Sequence, residues 1–275
     1  MLFRHIAFSL MLGVLFPLYS QQSISGNIPS YVEICLKASI DPYYFQTFRS
    51  NPLYAEVVEC GLGGESASYI LSSSSEEIRG KLADFRLLDQ IGNPTTNDIS
   101  GVGRFSGTTL RYIVVADHID KLFSLPQNAT IAEIGAGFGG QCFILSQLNR
   151  FAKYYIYDLP EAQALINTVL KTLSVSKAAC VPFDEALPVE KIDLLISNYA
   201  YSECDLPTQL DYFERIVLKA DRGYMLFNQT GGALTPDNFI DMLESHNMFP
   251  RIYEEPIFSY TGNKLIVWDK TSLPK

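Results

Sequence analysis

A glycine-rich turn constrains the fold of this chain more than any other segment. Residues 133–140, EIGAGFGG, follow the apolar run ATIA and lead into the apolar stretch QCFILSQL. This order predicts a strand, a tight turn and a helix, because glycine permits the backbone conformations of such a turn and the first N–H groups of the helix then face a ligand. The glycines satisfy both GxGxG and the dinucleotide pattern GxGxxG, so the turn alone does not identify the ligand.

The chain after residue 125 alternates between apolar strands and helices. Strand-like segments are ATIAEIG, KYYIYDL, AACVPF, IDLLISN and GYMLFNQ, and segments with helical spacing lie between them. This alternation predicts an α/β fold in which helices cover both faces of a Rossmann-like, mostly parallel sheet. The tail, with FPRIYEEPIFSY and KLIVWDK around TGN, predicts an antiparallel hairpin at the end of that sheet.

Residues 26–125 lack the alternation that strands show. Their apolar residues recur at three- and four-residue spacing and are interrupted by proline and glycine, which predicts a helical N-terminal cap. We therefore divide the chain into an N-terminal segment at 1–25, the cap at 26–125 and a cofactor-binding domain at 126–275.

The first 25 residues have the layout of a secretory signal. Arg4 precedes an uncharged apolar run over 6–19, and the small residues Ser23 and Ser25 follow it. The run is short for a membrane span. It predicts export, or anchoring through contact of residues 1–20 with a membrane. The alternatives are a cytoplasmic location and an apolar helix that packs on the domain.

Composition and charge exclude several classes of protein. The chain has 275 residues, of which 47% are hydrophobic and 19% charged, as expected for a globular protein with a large core. Its net charge of -9 argues against nucleic acid as a partner. The five cysteines are spread along the chain without metal-ligand spacing, so we expect neither a disulfide framework nor a metal site.

Two features choose between the ligands that the glycine turn allows. A nicotinamide-binding sheet is normally parallel in its nucleotide half, whereas the class I methyltransferase sheet ends in an antiparallel hairpin like the one predicted here. Glu133 stands where the nicotinamide fold usually has an apolar residue, and its carboxylate can face the ammonium group of a methionine moiety. Both features favour S-adenosylmethionine as the cofactor. Asp158, after the second strand, can hold ribose hydroxyls in either fold.

Several longer blocks resemble a known family. LLDQIGNPTTNDISGVGRFSGTTLRYIVVADHIDKLF, IAEIGAGFGGQCFIL, YYIYDLPEAQ, DLLISNYAYSECDLPTQLDYFERIV and RGYMLFN, within residues 87–228, are similar to successive blocks of the bacterial sugar O-methyltransferase family. The resemblance implies a class I S-adenosylmethionine-dependent fold and transfer of a methyl group to a hydroxyl of a sugar or glycoconjugate. Gly107 departs from the family pattern, in which we expect a proline.

The candidate site residues lie at the ends of the predicted strands, where open parallel sheets bind their ligands. For the cofactor we predict Glu133, Gly135, Gly137, Gly139, Asp158, Leu159, Phe183, Asp184, Ser197 and Asn198. For the acceptor we predict Arg111, Tyr112, Tyr199 and Tyr201, and packing explains Tyr112 equally well. Asn198 and Tyr201 also have the spacing of the Asn-Pro-Pro-Tyr turn of amino-methylating enzymes, with Tyr199 and Ala200 in place of the prolines.

Glu203 is the candidate catalytic residue. Methyl transfer to a hydroxyl needs alignment and a base that removes the proton, and Glu203 is the first carboxylate after the fourth strand. The alternative is that Glu203 favours the start of the next helix through its charge. Two other functions stay open for the whole chain: a catalytically idle binding or effector protein on the same fold, and an NAD-dependent oxidoreductase.

Overall fold

The computed structural model describes residues 26, 28–61, 63–228, 234–257 and 262–270, and the predicted signal segment at 1–25 lies outside them. The helices are α1 (Pro29–Ile40), α2 (Pro42–Thr47), α3 (Pro52–Val58), α4 (Gly64–Ser73), α5 (Glu76–Gly80), α6 (Leu82–Phe85), α7 (Gly107–Leu122), α8 (Gly140–Gln147), α9 (Pro160–Thr172), α10 (Leu206–Arg215) and α11 (Pro236–Ser245). The strands are β1 (Asn97–Ile99), β2 (Gly103–Phe105), β3 (Thr130–Ile134), β4 (Lys153–Tyr157), β5 (Ala178–Cys180), β6 (Leu194–Asn198), β7 (Arg222–Phe227), β8 (Phe249–Glu254) and β9 (Lys264–Asp269).

Seven strands form one sheet in the order β5-β4-β3-β6-β7-β9-β8. The first five strands in this order run parallel to one another, and β9 is antiparallel to both β7 and β8. The five parallel strands have the order of a doubly wound nucleotide-binding sheet, which reverses between β3 and β6. The antiparallel β9 between β7 and β8 is the class I methyltransferase arrangement, so the predicted fold class is confirmed.

The strands are buried on both faces because their side chains point alternately into two cores. In β3, Ile131 belongs to the core that α7, α8 and α9 cover, whereas Ala132 and Ile134 belong to the core covered by α10 and α11. The continuous apolar runs of the sequence follow from this double burial. The carboxyl ends of β3, β4 and β6 remain open toward the cap.

The cap shares a core with the sheet. Tyr54 of α3 is fully buried in the same cluster as Ile131 of β3. Arg49 is also buried, and it joins three parts of the cap: it forms ion pairs with Glu59 (2.6 Å) and Asp89 (3.3 Å) and donates to Ser106 Oγ (2.9 Å). These contacts hold the loop after α3 against the start of α7.

The prediction of a cap without strands is wrong at one place. Strands β1 and β2 form a short antiparallel hairpin, with Asp98 opposite Arg104. Its turn uses Gly101 and Gly103, whose φ angles of 79° and 108° favour glycine. Three-residue strands are too short to show an alternation in the sequence. No helix in the described part of the chain is both long and apolar enough to cross a membrane.

Candidate active site

The glycine turn after β3 lets two other segments approach it closely. Gly135 and Gly137 have φ angles of 75° and 63°. A Cβ atom on Gly135 would lie 1.9 Å from Ala200 Cβ, and one on Gly137 would lie 3.3 Å from Val58 Cγ1. The turn therefore needs glycine both for its backbone and for its contacts with the β6–α10 loop and with α3.

Gly139 and Gly140 have a packing role instead. Gly139 is the N-cap of α8, with a φ of 87°, and a Cβ there would meet Leu170 and Ile166 of α9. A Cβ on Gly140 would lie 2.3 Å from the Tyr112 ring. The glycine that completes the GxGxxG spacing is thus explained by contact with α7.

Asp158 closes the glycine turn from the end of β4. Its Oδ2 atom accepts the Gly137 N–H (3.0 Å), and its Oδ1 atom accepts the Leu159 N–H (2.8 Å). Burial raises the pKa of Asp158 to about 6, although these N–H groups lower it. Leu159 is buried and is the N-cap residue of α9. Asp158 therefore lines the site, while Leu159 supports it from behind.

Glu133 is a buried carboxylate at the end of β3. The Tyr154 hydroxyl donates to its Oε2 atom (2.8 Å), and no cationic side chain of the described residues pairs with it. Burial and, to a smaller degree, the nearby Asp158 raise the pKa of Glu133 to about 8, against the opposing effect of the Tyr154 hydroxyl. A carboxylate in this state favours a ligand that brings a positive charge.

Two polar side chains at the end of β6 have different roles: Asn198 faces the site, and Ser197 joins neighbouring parts of the backbone. Ser197 Oγ donates to the Ile134 carbonyl oxygen (2.9 Å) and accepts the Tyr201 N–H (3.0 Å), so it joins β6 to β3. The Oδ1 and Nδ2 atoms of Asn198 are buried without a hydrogen-bond partner. A buried amide of this kind is costly unless a ligand pairs with it.

The next residue, Tyr199, turns the chain toward the glycine loop. Its φ of 73° is unusual for a residue with a side chain and stores strain, which is common at functional sites. The Tyr199 hydroxyl donates to Glu255 Oε1 in the C-terminal hairpin. The bend brings Ala200 against Gly135.

Glu203 faces the same site at the end of the following 3-10 turn. The Asn228 Nδ2 group donates to Glu203 Oε1 (2.7 Å), and Ser202 Oγ in turn donates to Asn228 Oδ1 (3.0 Å). The N-cap of α10 is Asp205, which accepts the Thr208 N–H (3.0 Å). The role of Glu203 is therefore separate from capping that helix.

These residues surround one cavity at the carboxyl ends of β3, β4 and β6. It is lined by Tyr31, Val57, Val58, Glu59, Arg111, Tyr112, Glu133, Gly135, Gly137, Asp158, Asn198, Tyr199, Ala200 and Glu203. Nine of them were predicted as site residues from the sequence, namely Arg111, Tyr112, Glu133, Gly135, Gly137, Asp158, Asn198, Tyr199 and Glu203.

Tyr201 does not line this cavity, contrary to the prediction. It is 1% exposed, its hydroxyl donates to the Gln209 carbonyl oxygen (3.1 Å), and its ring packs 5.1 Å from that of Phe239. Phe183 and Asp184 also lie outside the lining. The Phe183 ring packs against Tyr212, with 5.3 Å between centroids, and Asp184 is exposed. A role of this pair at the adenine stays a prediction.

The cap contributes four lining residues that sequence reasoning missed. Tyr31 of α1, Val57 and Val58 of α3, and Glu59 after α3 carry no recognisable motif. The one available signal was the position of Glu59, a carboxylate two residues before the glycine cluster at 61–64. The cap thus forms one wall of the cavity.

The fold class implies S-adenosylmethionine, and the cavity fits this molecule in three respects. Asn198 offers a donor and an acceptor that lack partners, and Glu133 offers a carboxylate that suits an ammonium group. Gly135 and Gly137 line the cavity with backbone atoms alone. No group of three or more metal-ligating side chains occurs in the part of the chain that the structure describes.

Solved structures of methyltransferases share this fold over somewhat more than half of the chain. TrmK from M. capricolum, in complex with S-adenosyl-homocysteine, is 15% identical, covers 58% of this chain and 69% of its own, and has a TM-score of 0.44. An O-methyltransferase family protein from Burkholderia thailandensis is 12% identical, with 58% and 57% covered and a TM-score of 0.42. A SAM dependent methyltransferase from Aquifex aeolicus is 16% identical, with 56% and 88% covered and a TM-score of 0.40.

No protein-family model matches the chain, and no curated protein is significantly similar to it. At the identities and TM-scores above, the solved structures say nothing about this chain's substrate. The fold class rests on the strand order, and the resemblance to sugar O-methyltransferases stays a prediction.

Proposed function

We propose that this protein is an S-adenosylmethionine-dependent methyltransferase that acts on a hydroxyl group, in an acceptor of the sugar or glycoconjugate class. The observation that carries the proposal is the convergence of Glu133, Asn198 and Glu203 on one cavity beside the glycine turn. A carboxylate without a cationic partner, Glu133, and an amide without a hydrogen-bond partner, Asn198, supply binding groups for the cofactor. A second carboxylate supplies a base. The sugar class is supported only by the sequence blocks that resemble that family.

In this proposal some side chains bind the cofactor, and another accepts the proton of the acceptor. Glu133 would hold the ammonium group, Asp158 the ribose hydroxyls and Asn198 a polar group near the reacting end. When bound, the cofactor supplies an electrophilic methyl group on a sulfonium sulfur. Asn228 occupies Glu203 Oε1, which leaves Oε2 to accept the proton of the acceptor hydroxyl. The cap wall excludes water and aligns the acceptor, and alignment contributes most of the acceleration.

Calorimetric titration of the protein with S-adenosylhomocysteine and with NADH tests the cofactor. We expect binding of the first only. A panel of sugars and glycoconjugates is then incubated with S-adenosylmethionine and read by a mass gain of one methyl group. Binding of NADH alone would favour the oxidoreductase. Binding of S-adenosylhomocysteine without turnover on any acceptor would favour the idle binding protein.

Glu133→Gln should change how cofactor affinity depends on pH. The pKa of about 8 means that Glu133 must lose a proton to pair with an ammonium group, so we expect S-adenosylhomocysteine affinity to rise between pH 6 and 8. The variant should lose this dependence and bind more weakly by more than about 1 kcal/mol at pH 8. Calorimetry across this range measures both effects.

The stability of the ligand-free protein should also depend on the protonation of Glu133. Because the folded-state pKa lies above the ordinary value of 4.5, the folded state holds more protons, and the free energy of unfolding falls as pH rises through this window. In the Glu133→Gln variant, the free energy of unfolding should fall less over the same pH range. Glu190→Gln, at an exposed position, is the matched control and should behave as wild type. A wild-type affinity that is flat from pH 6 to 8 contradicts the role of Glu133.

We also propose that residues 1–25 export the protein or anchor it at a membrane. The support is the sequence alone, with Arg4, the uncharged run and the small residues after it. Fractionation of a C-terminally tagged protein, with its N-terminus sequenced, is the test. A soluble cytoplasmic product that still begins at Met1 would contradict the proposal.

A further inference from the structure

Arg111 lies where two cavities meet. It lines the cavity described above, and it also lines a neighbouring cavity formed by the loop after α3, the start of α4, Gly107 and Ile257. Gly107 is required there, because a Cβ atom would lie 1.9 Å from the Gly61 carbonyl oxygen. The Arg111 side chain is therefore accessible to a ligand in either cavity.

Arg111 lacks a direct hydrogen-bonded partner at its Nε atom among the residues that the structure describes, although the carboxylates of Glu255 and Glu59 lie close enough to favour its charge. Its Nε atom is buried without a hydrogen bond, and no carboxylate of those residues forms an ion pair with it. The guanidinium carbon lies 5.3 Å from the centroid of the Tyr199 ring and 5.7 Å from that of Tyr112. Aromatic rings stabilise the cation and fix the orientation of the guanidinium plane, but they do not neutralise the positive charge.

The two carboxylates whose charges act on Arg111 already have other partners. Glu59 binds Arg49 through both oxygens, at 2.6 Å and 3.1 Å, and its Oε2 also accepts the Thr108 hydroxyl (2.7 Å). Glu255 accepts the Tyr199 hydroxyl. Arg111 is half-buried, and a guanidinium whose buried Nε atom has no acceptor is costly unless a ligand supplies one.

We propose that Arg111 binds a carboxylate of a ligand. This inference rests on the proposed function and adds the chemistry of a second binding group. A planar guanidinium suits a carboxylate because two parallel hydrogen bonds can form. The carboxylate has two possible sources. One is the amino-acid end of the cofactor, whose ammonium group would face Glu133 in the same cavity. The other is an acidic acceptor, such as a uronic acid, in the neighbouring cavity.

Four probes distinguish these sources by titration. S-Adenosylhomocysteine carries the amino-acid carboxylate, and 5′-methylthioadenosine lacks it. Glucuronate carries an acceptor carboxylate, and glucose lacks it. We expect Arg111→Gln to weaken one carboxylate-bearing probe by tenfold or more, without changing its uncharged counterpart. Selective loss of S-adenosylhomocysteine identifies the cofactor as the source, and selective loss of glucuronate identifies the acceptor. Arg111→Lys keeps the positive charge but loses the planar guanidinium. Its affinity for that probe should lie between those of wild type and Arg111→Gln.

The exposed Arg104 offers a matched control. Arg104→Gln removes an equal charge far from both cavities and should leave every affinity unchanged. If Arg111→Gln and Arg111→Lys, with wild-type melting curves, bind all probes like wild type, the inference is overturned. Wild-type protein that binds neither adenosine compound refutes the proposed cofactor, while loss of glucuronate binding in Arg111→Gln would still support the carboxylate site. Arg111→Lys replaces Arg111→Gln in every comparison if the latter does not fold.

Discussion

Replacing Glu203 by Gln is expected to lower turnover by about 10²-fold or more, with little change in S-adenosylhomocysteine affinity. The substitution keeps the size of the side chain and its acceptor oxygen for Asn228 Nδ2, which lies 2.7 Å from Glu203 Oε1 in the structure. It removes the negative charge and, with it, the ability to take a proton. Single-turnover rates with an acceptor from the panel, together with calorimetry of the cofactor product, measure the two quantities separately.

Two comparisons show whether this loss reports on a base. Glu214→Gln, on the exposed side of α10, changes the same chemical group away from the cavity and should keep wild-type turnover. Loss of the base should also shift the pH dependence of the rate, whereas a loss through misfolding would lower cofactor affinity in parallel. A Glu203→Gln variant with turnover within a few-fold of wild type would mean that alignment alone drives the reaction.

The sequence predicted those parts of the molecule that local patterns determine. Ile131 and Ala132 point to opposite faces of β3, and both faces are covered, so the strand had to be a continuous apolar run. Glu133 interrupts that run, and its place in the cavity lining could be predicted for this reason. Asp158 was found by the same logic, because it follows a buried strand at the edge where parallel sheets bind ligands.

The turn after β6 could not be predicted in the same way. Tyr199 and Tyr201 are two residues apart, so an extended strand would place both on the same face. The positive φ of Tyr199 and the 3-10 turn that follows send them apart instead. Tyr199 lines the cavity, and Tyr201 enters the core beside Phe239. The sequence shows two tyrosines but not the direction of the backbone between them.

The cap residues depend on contacts between distant segments. Val58 reaches the glycine turn only because Arg49 binds Glu59 and thereby holds the end of α3 in place. Nothing in the local sequence of α3 indicates a neighbour that lies about 80 positions further along the chain, at Gly137. Sequence patterns predicted the lining residues at the strand ends, whereas the lining residues from α1, α3 and the loop after α3 required the structure.

Replacing Gly135 by Ala is expected to weaken cofactor binding strongly. The new Cβ atom would lie 1.9 Å from Ala200 Cβ, and the residue would have to keep a φ of 75°. Left-handed strain and overpacking each cost about 1–3 kcal/mol, so we expect a loss of about 30-fold or more in S-adenosylhomocysteine affinity, or of comparable folding stability, as the turn and the β6–α10 loop move apart. Calorimetry and thermal melting measure the two losses.

A double-mutant cycle with Ala200→Gly separates the two causes of the Gly135→Ala effect. Removing Ala200 Cβ relieves the first collision and leaves the backbone strain, so the double variant should recover part of the affinity and no more. Gly80→Ala is the control, since a Cβ atom there meets nothing within 4 Å and alanine favours the helix α5. Wild-type affinity in Gly135→Ala would contradict the contact. Without recovery in the double variant, the effect would come from backbone strain at Gly135 alone, because only the collision depends on which side chain stands at position 200.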